Sequence, residues 1–159
     1  MSTEHSEQHA NRVVVGVDGS ESSRQALRWA AFVATASGSI VQAVTAWQPL
    51  SANGWAVGYA SMAVPDYWNP AGDAEKVLVE TVDEVFGANR PPLLETVVRE
   101  GAAARVLLEV SAGARLLVVG SRGHGGFAGL LLGSVSSNCA EHAICPVLVV
   151  HGSTPVPQG

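Results

Sequence analysis

The residues best suited to chemistry are a glycine-rich stretch, GSRGHGGFAGLLLGSVSSN, that begins at Gly120. Two residues separate Gly120 from Gly123, and nine more separate Gly123 from the pair Gly133-Ser134. Because glycine lacks a Cβ, it tolerates positive φ and lets a ligand approach the backbone closely. Amide groups at both ends of such a stretch can point at phosphate oxygens. The spacing therefore indicates an anion site.

The far end of this stretch is predicted to begin a helix at Ser134. The first N–H groups of a helix, here those of Ser134, Val135 and Ser136, have no acceptor within the helix and favour an anion. The hydroxyls of Ser134 and Ser136 offer two further donors. Arg122 supplies a guanidinium that stays charged at any working pH. We expect these groups to surround phosphates.

Hydrophobic patterning predicts the elements that position this stretch. Strands are expected at 12–17, 40–47, 93–99, 115–119 and 146–151, and helices at 21–37, 73–86, 102–112 and 134–142, with Ser20 as an N-cap. This alternation implies right-handed crossovers and a mostly parallel sheet covered by helices on both faces. Ligands bind such sheets at the carboxyl ends of the strands, which points to Asp18-Gly19-Ser20 and to the loop from Gly120.

The chain length of 159 residues suits one domain, which we place at 12–151, between flexible tails at 1–11 and 152–159. Residues 48–72 are irregular and longer than most connections, so that segment is either functional or mobile. Two of its tryptophans, Trp55 and Trp68, could fold over a ligand as a lid.

Composition excludes several classes of protein. The formal net charge is −5 and the chain has a single lysine, so no basic stripe is available for nucleic acid. No apolar run is long enough for a membrane span or an export signal. Cys139 and Cys145 lie six residues apart, which suits neither a metal knuckle nor a disulfide framework. Free thiols fit a reducing cytoplasm.

The glycine spacing resembles that of the universal stress protein family, in its ATP-binding branch. The fingerprint of that branch is Gly-x2-Gly-x9-Gly-(Ser/Thr), matched by Gly120, Gly123, Gly133 and Ser134. VVVGVDGSESSRQAL near the start and HAICPVLVV near the end match as well, so the resemblance covers nearly the whole folded chain. It implies a Rossmann-like open sheet of five parallel strands in the order 3-2-1-4-5. It also implies ATP as ligand, with any Mg²⁺ held by the phosphates.

The resemblance further implies a role for each matching position. Asp18 would contact the nucleoside, Ala46 would form an apolar wall, and Arg122 would lie near the ribose or the phosphates. The strand Val147 to Val150 would join two copies into a homodimer, because an unpaired apolar edge invites a partner strand. The implied nucleotide-binding residues are Gly16, Val17, Asp18, Ala46, Val119, Gly120, Arg122, Gly123, Gly133, Ser134, Val135 and Ser136.

Simpler interpretations compete with this one. Asp18-Gly19 is also a common turn before a helix, and the glycines could belong to a loop that is only flexible. Gly123 to Ala128 matches a dinucleotide motif but lacks the second half of that fold, and the Walker lysine is missing before Ser134. The histidines His124, His142 and His151 have no ligand spacing, so we expect no metal site.

Three functions follow as hypotheses. The first is an ATP-dependent regulatory dimer of the stress response, with slow or incidental chemistry. The second is a weak Mg²⁺-dependent ATPase or nucleotide-transfer enzyme, in which Asp18 or His124 would act as the base or position the attacking water. The third is a stress protein that interacts with partners without ATP.

Overall fold

The computed structural model describes residues 10–49, 69–122 and 132–158, together with positions 5, 7 and 8. Most of the predicted 48–72 segment therefore lies outside the described residues, as do Trp55, Trp68, Gly123 and His124. In the described part of the chain, no helix combines the length and the apolar character that a lipid bilayer crossing requires.

Strands and helices alternate along the described chain. Their bounds are β1 Arg12–Gly16, α1 Glu21–Ser37, β2 Ile40–Trp47, α2 Pro70–Phe86, β3 Leu94–Glu100, α3 Ala103–Ser111, β4 Leu116–Gly120, α4 Ser134–His142 and β5 Val147–Val150. All strand pairings are parallel, and the order across the sheet is β3-β2-β1-β4-β5. The predicted five-stranded sheet and its strand order are confirmed.

The sheet separates two hydrophobic clusters because successive side chains of a strand point to opposite faces. In β1, Val13 and Val15 pack with α1 and α2, whereas Val14 packs with α3 and α4. All three valines are fully buried. Helices thus cover both faces, and β1, β4 and β5 accordingly have near-continuous apolar runs, whereas β3 at the edge of the sheet is mostly polar.

The two helices on the first face begin with side-chain caps. Ser20 is the N-cap of α1, as predicted, and its Oγ accepts a hydrogen bond from the Ser23 amide at 3.2 Å. Helix α2 begins at Pro70, three residues before the predicted start at 73. Asn69 explains the difference, since its Oδ1 accepts a hydrogen bond from the Gly72 amide at 3.0 Å and proline suits the first helical position.

The segment after β5 contacts α1. The Thr154 carbonyl accepts hydrogen bonds from the Trp29 indole, at 3.1 Å, and from the side-chain amide of Gln25. The segment predicted as a flexible tail from 152 is therefore attached to the domain at Thr154.

Both cysteines are free, as predicted, and they lie in different surroundings. Cys139 is fully buried in α4, and Cys145 is partly exposed before β5. Burial, with a smaller contribution from Cys145, raises the pKa of Cys139 from its ordinary value of 9.0 to about 11. Folding thus favours the thiol, and this contribution to stability is complete below pH 9 and lost as the pH rises towards 11.

We expect a maleimide at pH 8 to modify one thiol per native chain, that of Cys145, because Cys139 is both buried and protonated there. Mass spectrometry after quenching would give the stoichiometry. Cys145→Ser is the control and should leave the native protein unmodified, while denatured wild type should take up two labels. Rapid labelling of native Cys145→Ser would contradict the burial of Cys139.

Candidate functional site

Among the described residues, a cavity of about 600 Å³ lies at the carboxyl ends of β1, β2 and β4. This volume is within the range of about 300–1,000 Å³ typical of small-molecule sites. The cavity is lined by the ends of these strands and by the first turns of several helices. The lining residues are Gly16, Val17, Asp18, Ser20, Ser23, Val44, Thr45, Ala46, Asp73, Ala74, Val77, Ala103, Leu107, Val119, Gly120, Arg122, Gly133, Ser134, Val135 and Ser136.

The fold brings together eleven of the twelve predicted site residues, since only Gly123, which lies outside the described residues, is absent from this lining. Of the nine other lining residues, Ser20 belongs to the turn that the strand-end rule indicated, and the remaining eight were not predicted. Some of them extend predicted features: Val44 and Thr45 directly precede Ala46 on β2. Others come from the first turns of α2 and α3, and the rule that ligands bind at the carboxyl edge of a parallel sheet could have pointed to these turns.

The end of β1 is fixed to β2 by two hydrogen bonds. The Val17 amide donates to the Val44 carbonyl at 2.8 Å, and the Thr45 hydroxyl donates to the Val17 carbonyl at 2.8 Å. The next residue, Asp18, is exposed and lines the cavity. Its Oδ1 accepts the Ser20 amide at 2.9 Å, so Asp18 also forms the turn before α1. Its second oxygen has no partner among the described residues.

Helix α4 begins at the cavity without a side-chain cap. Gly133 precedes it in an extended conformation, with φ −72° and ψ 171°. The amides of Ser134, Val135 and Ser136 therefore have no acceptor within the described part of the chain. Arg122 is exposed beside them and forms no ion pair with any described residue. Free N–H groups, a helix dipole and a guanidinium together make this end of the cavity electropositive.

The Ser136 hydroxyl, which the sequence suggested as a donor to a ligand, donates within the protein in this structure. Ser136 is only 2% exposed, and its Oγ lies 3.0 Å from the Ser121 carbonyl oxygen and 3.1 Å from the Gly133 carbonyl oxygen. The Gly133 amide donates to the same Ser121 carbonyl at 2.7 Å. A hydroxyl has one proton, so this proton is used within the protein. Ser136 instead fixes the start of α4 against the end of β4.

The glycines at 120 and 133 do not use the positive φ that the sequence suggested, since neither is among the described glycines with that conformation. At Gly120 the requirement is one of space. A Cβ there would lie 2.7 Å from the carbonyl carbon of Ser22 and 2.9 Å from its oxygen. Gly120 therefore allows β4 to approach the first turn of α1, and this approach shapes one wall of the cavity.

Together, the parallel sheet and the cavity at its carboxyl edge define an α/β protein with a candidate ligand site at the ends of its strands. A sequence model of the universal stress protein family matches residues 9–151, so the chain belongs to that family. It is 32% identical over 141 residues to a universal stress protein of Mycolicibacterium smegmatis, which covers 88% of this chain and 48% of that relative. It is 34% identical over 144 residues to one of Mycobacterium tuberculosis, covering 87% and 47%. The chain spans about half the length of these curated relatives.

Solved structures of the family share the fold. The crystal structure of a universal stress protein in complex with cAMP is 34% identical, with a TM-score of 0.62, over 90% of this chain and 98% of that one. The universal stress protein UspA from Lactobacillus plantarum is 18% identical, with a TM-score of 0.67, over 88% and 97%. At 18% identity, the similarity to the Lactobacillus plantarum protein shows a shared fold.

We expect Ser136→Ala to lower the free energy of unfolding by about 1 kcal/mol, the usual contribution of one hydrogen bond, because the Ser121 carbonyl loses a donor. Urea denaturation would measure the change. Ser134→Ala is the matched control, since that exposed hydroxyl has no described partner and surface changes usually stay within about 0.5 kcal/mol. Equal losses in both variants would refute the assigned contact.

Proposed function

We propose that this protein binds an adenine nucleotide, with ATP as the physiological ligand, and acts as a nucleotide-dependent regulatory protein in the cytoplasmic stress response. The observation that carries the proposal is the uncapped start of α4, where three amides face a cavity of nucleotide size. Anionic phosphate groups are the usual ligands of such a helix terminus.

The apolar part of the lining suits a nucleoside. Val17, Ala46, Val77 and Leu107 supply it at the ends of β1 and β2 and on the flanking helices. Apolar walls of this kind accept the faces of a planar base, and the few polar groups around them orient it. We place the phosphates at the amides of Ser134, Val135 and Ser136 and at Arg122, with Gly123 and Gly133 included as the resemblance implies.

The related protein solved with cAMP supports an adenine nucleotide as ligand. It also makes a cyclic nucleotide the second candidate, because that ligand carries a single phosphate charge. The described lining contains one cation, Arg122, so a triphosphate would need further neutralisation. Within the described part of the chain, no group of three metal-ligating side chains occurs. Mg²⁺ would therefore be held by the phosphates and the Ser134 hydroxyl.

Two other functions remain as alternatives. A weak ATPase or nucleotide-transfer enzyme needs a group that positions the attacking nucleophile. The carboxylate of Asp18 accepts the Ser20 amide and so belongs to the turn before α1, and His124 lies outside the described residues. An ATP-independent stress protein would have no need of an uncapped helix terminus beside a cavity. We therefore place binding ahead of both.

Binding is tested by calorimetry with ATP, cAMP and GTP. We expect Arg122→Ala to weaken ATP binding about tenfold, since a charge-assisted contact to phosphate is lost, and to weaken cAMP binding less. Arg115→Ala is the matched control, because Arg115 is an exposed arginine directly before β4, at the opposite end of that strand. Failure of wild type to bind any of the three at millimolar concentration would end the proposal.

We further propose that two copies pair through β5. This strand forms one edge of the sheet, and Val147, Leu148 and Val149 are only partly buried. Ile144, three residues before the strand, is 82% exposed. Unpaired apolar edges of this kind are prone to pair with another strand.

We expect Ile144→Glu to weaken the dimer at least about tenfold, as measured by sedimentation velocity, because a charge would have to be buried in the interface. Leu93→Glu is the control on the β3 side of the sheet, where Leu93 is 55% exposed. A monomeric wild type at high micromolar concentration would refute the dimer, and dissociation by Leu93→Glu alone would refute its placement at β5.

A further inference from the structure

Two helix N-termini border the cavity, and they differ in chemistry. Among the described residues, the first three amides of α4 have no acceptor, whereas at the start of α2 only the Ala71 amide lacks one. Asn69 accepts the Gly72 amide on its side chain, at 3.0 Å, and the Asp73 amide on its carbonyl, at 2.9 Å. Pro70 has no N–H at all. The start of α2 therefore offers the cavity a side chain, and that side chain is the carboxylate of Asp73.

Asp73 faces the cavity on the same stripe of α2 as Val77, four residues later. Ala74, beside it, is buried and also lines the cavity. Leu78, one turn farther along α2, packs in the core, so the rotation of the helix places Asp73 at the cavity. Its N-cap is supplied by Asn69, so the carboxylate is not needed to cap the helix.

The carboxylate of Asp73 has no hydrogen-bond or ion-pair partner among the described residues. Two acidic residues farther along α2 have partners: a Glu80 oxygen lies 3.8 Å from the Lys76 nitrogen, and a Glu84 oxygen lies 2.8 Å from a nitrogen of Arg24. Asp18, which lies near Val77 of α2, adds a second carboxylate to the cavity. The lining near α2 is thus electronegative, whereas Arg122 and the start of α4 contribute positive charge to the lining.

A nucleotide has matching polarity, since its phosphates carry the negative charge and its sugar and base carry hydroxyl and amine donors. Resting on the proposed function, we propose that Asp73 is a specificity-determining residue that accepts a hydrogen bond from a donor of the nucleoside. The donor is a ribose hydroxyl or the exocyclic amine of the base, both of which suit a carboxylate acceptor. Repulsion between Asp73 and phosphate would also fix the direction in which the nucleotide enters.

The test compares the affinities of wild type, Asp73→Ala, Asp73→Asn and Glu75→Ala for four ligands by calorimetry. The ligands are ATP, 2′-deoxy-ATP, 3′-deoxy-ATP and purine riboside triphosphate, which lacks the amine. Glu75 is the matched control, an exposed carboxylate two residues farther along α2 that does not line the cavity. Circular dichroism would verify that each variant is folded.

We expect Asp73→Ala to weaken ATP binding about tenfold, the usual effect of losing a hydrogen bond to a charged group, with Glu75→Ala unchanged. With wild type, one of the three altered ligands should bind more weakly than ATP. With Asp73→Ala, that ligand and ATP should bind equally well, which identifies the group that the ligand lacks as the donor. Asp73→Asn keeps an acceptor oxygen, so it should fall between wild type and Asp73→Ala.

Equal ATP affinity in wild type and Asp73→Ala would overturn the inference and leave nucleotide binding intact. The inference is also overturned if each altered ligand binds more weakly than ATP by the same factor in wild type and in Asp73→Ala, because the donor would then bind another residue. If wild type binds none of the four ligands, the proposed function fails and the inference fails with it.

Discussion

The site depends on one carbonyl group, that of Ser121. It accepts the Gly133 amide at 2.7 Å and the Ser136 hydroxyl at 3.0 Å, and these two bonds hold the start of α4 against the end of β4. Because α4 has no side-chain cap, its first amides have no acceptor within the described part of the chain, and their residues line the cavity. The amides that could bind an anion are thus positioned by hydrogen bonds within the protein, and the atoms of those bonds do not themselves contact the anion.

The cavity itself results from how the sheet is packed. Gly120 lets β4 approach α1, since any Cβ there would collide with the backbone of Ser22. Gly16 has a similar place on β1, where a Cβ would lie 2.9 Å from a methyl group of Leu107 in the cavity wall. Gly120 is therefore required for packing even without a ligand, whereas a Cβ at Gly16 would meet only the end of a leucine side chain, which can move aside.

The first turns of two helices determine which charged and polar groups line the cavity. The two helices that meet it after long connections, α2 and α4, expose opposite chemistry because one is capped by Asn69 and the other by no side chain. An aspartate therefore faces the cavity on one side and bare amides on the other. These two kinds of group suit a ligand that has an anionic end and a hydrogen-bond-donating end.

The sequence by itself determined the sheet, its parallel pairing and most of the cavity lining. Apolar runs fix strands buried on both faces, and the glycine spacing places Gly120 and Ser134 at a strand end and a helix start whatever the packing details. Only the tertiary structure decided what each side chain does there. Ser136 faces inward to Ser121, and Asp73 faces the cavity because α2 begins at Pro70 and turns Leu78 and Val82 into the core. Such orientations depend on how each helix is rotated against its neighbours, and periodicity alone does not specify that rotation.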